Sequence, residues 1–152
     1  MNKQFIIPKS ISNYSGIYAI VNNDKKKIYI GKSKNIRNRL QQHSTSLNKN
    51  KSPKAMQEDF NNGDLFEAHQ LILFTYKSET FLLGMEEIFI SYFINELGRE
   101  NVYNAFATRS HTYSSGVAYV VNSCSEIQNV KSILGLHDAW MDHNEEDFFN
   151  LN

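Results

Sequence analysis

Four side chains suited to chemistry on a phosphodiester follow one another within a short stretch of the chain. Tyr18 ends the tripeptide Gly-Ile-Tyr at residues 16–18, Tyr29 begins Tyr-Ile-Gly at residues 29–31, and Arg39 and His43 come next. A guanidinium is always charged and binds two phosphate oxygens at once, and an imidazole can move protons near neutral pH. Together with two phenols, these groups can hold and cut a phosphodiester.

A carboxylate occupies an unexpected position further along the chain. If residues 79–97 form a helix, six apolar residues fall within about 60° of Glu86 around its axis: Leu82, Leu83, Phe89, Ile90, Phe93 and Leu97. A carboxylate directed at an apolar core is costly unless it is paired, protonated or bound to a metal. Glu86 is therefore predicted to be functional, and an ion pair with an arginine is the alternative.

Two predicted strands position the tyrosines. Residues 15–22 and 26–31 alternate like β-strands, and Asn23-Asp24 between them suits a two-residue turn. This turn places Tyr18 directly opposite Tyr29. One face of the hairpin is then apolar and the other carries both phenols.

The remaining elements follow from the same patterns. Ser33 or Asn35 caps a first helix, on which Arg39 and His43 lie four residues apart and so on one side. A short helix at 54–62, a third strand at 65–74 and the long helix at 79–97, ended by Gly98, complete the core. Residues 105–117 read as a connector, followed by a strand at 118–121 and a helix with Ser123 or Ser125 as its N-cap. These elements predict an α+β fold.

Charge is distributed very unevenly along the chain. Its 152 residues carry no net charge, but residues 1–54 hold twelve Lys/Arg and one acid (+11), whereas residues 55–152 hold four and fifteen (−11). A basic region of this strength predicts a polyanion ligand, with nucleic acid the first candidate. The single cysteine, Cys124, excludes an internal disulfide, and no apolar stretch is long enough for a membrane span or a signal peptide.

The order and spacing of these residues resemble the GIY-YIG nuclease superfamily. The resemblance extends over about residues 14–105 and rests on both tripeptides, Arg39, His43, Glu86 and Tyr103-Asn104. It implies a small three-stranded antiparallel sheet flanked by helices, with a short C-terminal extension. The implied domains are a catalytic domain at 1–105 and an acidic extension of unknown role at 106–152.

The resemblance also implies roles for individual residues. Glu86 is expected to bind one Mg²⁺ or Mn²⁺ ion per active site. Either Tyr18 or Tyr29 is expected to act as the base, with a lowered pKa. The full catalytic set is Tyr18, Tyr29, Lys32, Arg39, His43, Glu86 and Asn104. The expected DNA-binding residues are Lys34, Arg37, Lys49, Lys51 and Lys54.

The implied function is a magnesium-dependent endonuclease that hydrolyses DNA in a phage, mobile-element or restriction setting. Two alternatives remain: a nucleic-acid-binding module without catalysis, and a nuclease subunit that docks to a larger complex. Residues 106–152 are the expected interface for a second copy or a protein partner. No membrane association is expected, and the expected location is the cytoplasm of a bacterium or a phage host.

Overall fold

A computed structural model describes residues 4–75, 78–105, 121 and 124–136. Nearly all of the predicted connector at 105–117 and of the predicted strand at 118–121 lies outside the described residues. The strands are β1 (Phe5–Ile6), β2 (Gly16–Asn22), β3 (Lys27–Ser33) and β4 (Phe66–Leu73). The α-helices are α1 (Ile36–Asn48), α2 (Lys54–Asn61), α3 (Glu79–Leu97) and α4 (Ser125–Ile133), with a 3₁₀ helix at Arg99–Asn101.

The sheet has four strands in the order β1-β4-β2-β3. The three predicted strands are confirmed as antiparallel neighbours, with β2 in the centre and β3 at one edge. The sheet is nevertheless mixed, because the two-residue strand β1 pairs in parallel with β4. A strand this short carries no detectable alternation, and the sequence pattern therefore did not reveal it.

The predicted register of the β2–β3 hairpin is wrong by two residues. Tyr18 lies opposite Gly31, and Tyr29 lies opposite Ile20. The loop spans four residues instead of two because the Asn22 side chain accepts hydrogen bonds from the backbone amides of Asp24 and Lys25. Lys26 then closes the turn with a left-handed φ of 57°. A slip of two residues preserves the faces of a strand, so both phenols still share one face, as predicted.

The two motif glycines, Gly16 and Gly31, allow neighbouring atoms to approach the backbone closely. A Cβ on Gly16 would collide with the backbone carbonyl of Ile72, where a register shift brings β4 against β2. A Cβ on Gly31 would collide with the Tyr18 ring, which lies over that residue. Glycine is therefore required at both positions by the approach of neighbouring atoms.

Each face of the sheet carries its own core. Helices α3 and α4 cover the face of Ile17, Ala19 and Ile30, with Ile127 of α4 fully buried there. Helices α1 and α2 cover the face of Tyr18 and Ile20. Helix α4 lies within the predicted C-terminal extension, and it packs against β4.

Helix ends follow local capping chemistry. Of the two predicted caps of α1, Asn35 is the one observed, since its side chain accepts from the Asn38 amide. Cys124 occupies the N-cap position of α4, so the predicted cap Ser125 is instead the first residue of the helix, and Ser123 lies outside the described residues. The C-terminal end of α3 is at Gly98, as predicted, with a left-handed φ of 90°. Among the described residues, no helix is long and apolar enough to cross a membrane.

Candidate active site

A cluster of two phenols and one imidazole lies between the sheet and α1. The Tyr18 hydroxyl is 2.7 Å from Nε2 of His43. The His43 ring also packs edge-on against Tyr29, with ring centroids 5.2 Å apart, and the two tyrosine rings are 6.4 Å apart. The structure thus brings together three of the predicted catalytic side chains, and the helical spacing of α1 adds Arg39 one turn before His43.

Burial controls the protonation of this cluster. It raises the pKa of Tyr18 well above its ordinary value, with a further contribution from Tyr29, and only partial opposition from the hydrogen bond and charge of Arg39. It also raises the pKa of Tyr29. For His43, burial and then the charge of Arg39 lower the pKa to about 4. The expectation of a lowered tyrosine pKa is therefore wrong for the protein alone, because the loss of solvation outweighs one neighbouring guanidinium.

Glu86 is close enough to the cluster for its charge to act on both phenols. It lies on α3, which packs on the opposite face from the tyrosines. The side chain is half-buried, and its negative charge contributes to the raised pKa of both phenols. Burial raises the pKa of the Glu86 carboxyl, while the charge and the backbone amide of Lys32 act in the other direction. Glu86 is thus partly shielded, as predicted, whereas its predicted stripe neighbour Leu83 is 45 % exposed.

The edge of β3 that faces away from β2 is hydrogen-bonded to residues outside the sheet. The amide of Tyr103 donates to the Ile28 carbonyl. The Asn104 side chain accepts from the Ile30 amide at 3.0 Å and donates to the Ile30 carbonyl at 2.7 Å. Two residues further on, the backbone amide of Lys32 interacts with the Glu86 carboxylate and acts to lower its pKa. Asn104 is therefore held against the backbone of β3, because both its side-chain oxygen and its side-chain nitrogen are hydrogen-bonded to Ile30.

Lys32 lies on the α3 side of the sheet. Its ammonium is 2.8 Å from the Glu79 carboxylate in the first turn of α3. The alternation of β3 directs this side chain away from the face of Tyr29. Its charge consequently acts on Glu86 and Glu79.

The predicted DNA-binding residues divide into two groups. Nη1 of Arg37 donates to the carbonyls of Pro8 and Ile11, so this guanidinium ties α1 to the N-terminal segment. The four lysines make no ion pair with a described acid, and Lys51 lines a cavity next to the tyrosine cluster. These lysines are Lys34, Lys49, Lys51 and Lys54.

A partly buried polar cluster that was not predicted from the sequence stabilises the hairpin loop. The Tyr103 hydroxyl donates to Asp59 at 2.6 Å, and Lys25 bridges Asp59 and Asp64 at 2.6 and 2.8 Å. Asn22 donates to Asp64 and to Tyr103. The acids are far from Lys25 in sequence, so no local pattern indicated the cluster.

The candidate metal ligand, Glu86, is not part of a larger ligand cluster among the described residues. Within the described part of the chain, no three His, Cys, Asp or Glu side chains are arranged to hold a metal ion. Mg²⁺ commonly binds through one or two carboxylates and keeps several waters. The single, half-buried carboxylate of Glu86 fits a weakly held hard cation of this kind and does not fit a closed structural site.

Comparisons with known proteins agree with this geometry. The GIY-YIG catalytic domain family matches residues 14–91, just over half of the chain. The solved catalytic domain of the homing endonuclease I-TevI is 29 % identical, with a TM-score of 0.51, over 60 % of this chain and 98 % of that one. A glutamate-to-alanine variant of the same intron endonuclease domain is 28 % identical, with a TM-score of 0.50, over 66 % and 98 %. No curated protein gives a significant match. The chain therefore belongs to the GIY-YIG catalytic domain family.

Proposed function

We propose that this protein is a metal-dependent endonuclease that hydrolyses phosphodiester bonds in DNA. The observation that carries the proposal is the 2.7 Å contact between the Tyr18 hydroxyl and His43 Nε2, within a cluster that also includes Tyr29 and Arg39 and that is close enough to Glu86 for its charge to act on both phenols. Similarity to a homing endonuclease domain supports cleavage of DNA in a mobile-element setting.

Proton transfer falls to Tyr18 and His43. The raised pKa of Tyr18 and the lowered pKa of His43 leave both groups neutral at pH 7. Tyr18 can then take a proton from the attacking water while its own proton passes to Nε2 of His43, so that no phenolate has to persist. This choice of base rests on the direct hydrogen bond, which Tyr29 does not share.

The remaining groups manage charge. Arg39 carries a permanent positive charge beside the Tyr18 hydroxyl, where it can bind oxygens of the scissile phosphate. Glu86 would hold a divalent cation, which as a Lewis acid stabilises the leaving oxygen when bound. Lys32, paired with Glu79, is proposed to position the Glu86 carboxylate through the backbone of β3.

Plasmid cleavage tests the proposal. Purified protein is incubated with supercoiled plasmid, single-stranded DNA and RNA of matched length, in Mg²⁺, Mn²⁺ or EDTA. We expect nicked or linear plasmid in the presence of metal, no product in EDTA, and no cleavage by Glu86→Gln. Glu96→Gln, an exposed change of the same kind on the same helix, should cleave like the wild type.

The outcomes separate the alternatives. If the wild type binds plasmid but cleaves no nucleic acid in either metal, the non-catalytic binding module is the better description. Equal cleavage by Glu86→Gln and the wild type would contradict the metal assignment. Cleavage of RNA alone would contradict the proposed substrate.

A further inference from the structure

The cavity that Lys51 lines extends from the tyrosine cluster. It has a volume of about 180 Å³ and lies beneath the loop that joins α1 to α2. We call it the loop cleft. Tyr29, Arg39 and His43 form the wall that it shares with the cluster, and Lys51, Ser52 and Tyr103 are on its far side. Anything bound in the loop cleft is therefore next to the reacting phosphate.

The cations at the loop cleft are not neutralised by the described acids. Lys25 pairs with Asp59 and Asp64, and Lys32 pairs with Glu79. By contrast, no acidic side chain in the described ranges lies within ion-pair distance of Lys51 or Arg39. Within the described ranges, the charges of Lys51 and Arg39 are therefore not paired with an acid where these side chains line the loop cleft.

Hydroxyl groups add hydrogen-bonding capacity. Ser46 and Ser52 line the loop cleft and are only partly exposed. Neither hydroxyl has a hydrogen-bond partner among the described residues. An ammonium with two free hydroxyls is suited to the oxygens of a phosphate.

The loop is held in place by buried side chains. Gln57, only 6 % exposed, accepts from the Ser52 amide at 3.0 Å and donates to the Leu47 carbonyl at 2.9 Å. The Lys51 amide donates to the Ser46 carbonyl at 2.8 Å, and Asn50 adopts a left-handed φ of 60°. These contacts fix the backbone from which the Lys51 side chain extends.

Size and lining of the loop cleft favour a segment of a longer chain over a free small molecule. Sites for free small molecules usually measure about 300–1,000 Å³, so a cleft of about 180 Å³ suits one segment of a longer chain. The Met56 thioether and the Tyr103 ring provide apolar surface beside the cations and hydroxyls. This mixture matches a deoxyribose with its phosphate.

We propose that the loop cleft binds the sugar–phosphate unit that adjoins the scissile phosphate, with Lys51 as its phosphate ligand. The proposal rests on the proposed DNA endonuclease function. In this arrangement Arg39 lies between the two phosphates, and Lys51 contributes to placing the scissile bond against Tyr18 and His43. Lys51 is thus a substrate-positioning residue.

The first experiment measures binding without catalysis. Thymidine 3′,5′-bisphosphate carries two phosphates on one deoxyribose, and it is titrated into ¹⁵N-labelled protein in EDTA. Lys51→Met is compared with Lys9→Met, the same change at an exposed lysine that does not line the loop cleft. We expect shifts at Ser46 and Ser52, and a dissociation constant at least tenfold higher for Lys51→Met but within twofold for Lys9→Met. Equal effects of the two variants, or shifts confined to residues outside the loop cleft, would overturn the proposal.

The second experiment uses cleavage. A duplex of 24 base pairs around a cut site mapped on plasmid carries one neutral methylphosphonate at each flanking position in turn. For the wild type, the methylphosphonate at one adjoining position should raise KM about tenfold. At that position it should not raise the KM of Lys51→Met any further. On the unmodified duplex the variant should show a similar rise in KM, and the salt dependence of its DNA affinity should decrease by about one counterion.

The two proposals fail in distinguishable ways. A wild type that binds the bisphosphate through Lys51 but cleaves no DNA refutes the endonuclease function and keeps the loop cleft as a nucleotide site. A wild type that cleaves DNA, with Lys51→Met as sensitive as the wild type to every methylphosphonate, refutes the loop cleft alone.

Discussion

Replacing Asn104 with alanine should destabilise the protein strongly. Asn104 is 8 % exposed, and its side chain supplies both hydrogen bonds to the backbone of Ile30, which is fully buried. Alanine would leave the amide and the carbonyl of Ile30 unpaired. Each unpaired buried group costs about 1–3 kcal/mol, so the free energy of unfolding should fall by about 2–6 kcal/mol.

Urea unfolding followed by circular dichroism measures this loss. With a slope of about 1–3 kcal/mol per molar, the midpoint should fall by about 1 M or more. Asn101→Ala is the matched control, since it removes one hydrogen bond to the Leu97 carbonyl near the surface and should cost about 0.5–1.5 kcal/mol. If Asn104→Ala does not fold, Asn104→Asp retains the acceptor for the Ile30 amide and should fold with a reduced midpoint.

The role of Asn104 depends on the outcome. A midpoint equal to that of the wild type, together with a loss of cleavage, would refute the structural reasoning and would make Asn104 a residue that acts directly on the substrate. Faster hydrogen exchange of the Ile30 amide in Asn104→Asp would support it.

Three further predictions concern other parts of the site. Gly31→Ala should force the Tyr18 ring away from His43, lowering the free energy of unfolding by about 1–3 kcal/mol and abolishing cleavage; an unchanged urea midpoint would contradict the packing argument. The pKa of His43 is about 4 when folded and 6.5 in the unfolded chain, so the unfolded state binds more protons between these values. Wild-type stability should then be complete above pH 6.5 and fall by up to about 3 kcal/mol more than that of His43→Gln as the pH decreases to 4; parallel curves would contradict the shift. Asp59→Asn removes the charge that holds Lys25 and weakens the bond from Tyr103, so thermal unfolding should show a loss of about 1–3 kcal/mol, and Glu58→Gln should show none.

The faces of the strands could be predicted from the sequence, but their register could not. Alternation of apolar residues fixes which side chains share a face, and Tyr18 and Tyr29 were placed together for that reason. Register depends on the turn, and here one side chain, Asn22, reorganises the loop by accepting two backbone hydrogen bonds. Asn23-Asp24 remained a reasonable turn in isolation.

Protonation could not be predicted because it depends on burial in three dimensions. The cations near Tyr18 are visible in the sequence and favour a lowered pKa. The covering of the phenol by α1 and its packing over Gly31 are not visible, and they have the larger, opposite effect. The position of Asn104 was hidden for a similar reason, because only the strand order shows that β3 is an edge with backbone groups to be satisfied.

The occupied edge of β3 has a consequence for solubility. An exposed edge strand offers its amides and carbonyls as a template on which a strand of another molecule can add, and this is a common route to aggregation. In β3 the groups that would form that template are already bonded at Ile28 and Ile30, and a carboxylate stands at Lys32. The contacts that Asn104 and Glu86 make with β3 therefore also leave this edge with fewer free backbone groups to which a strand of another molecule could add.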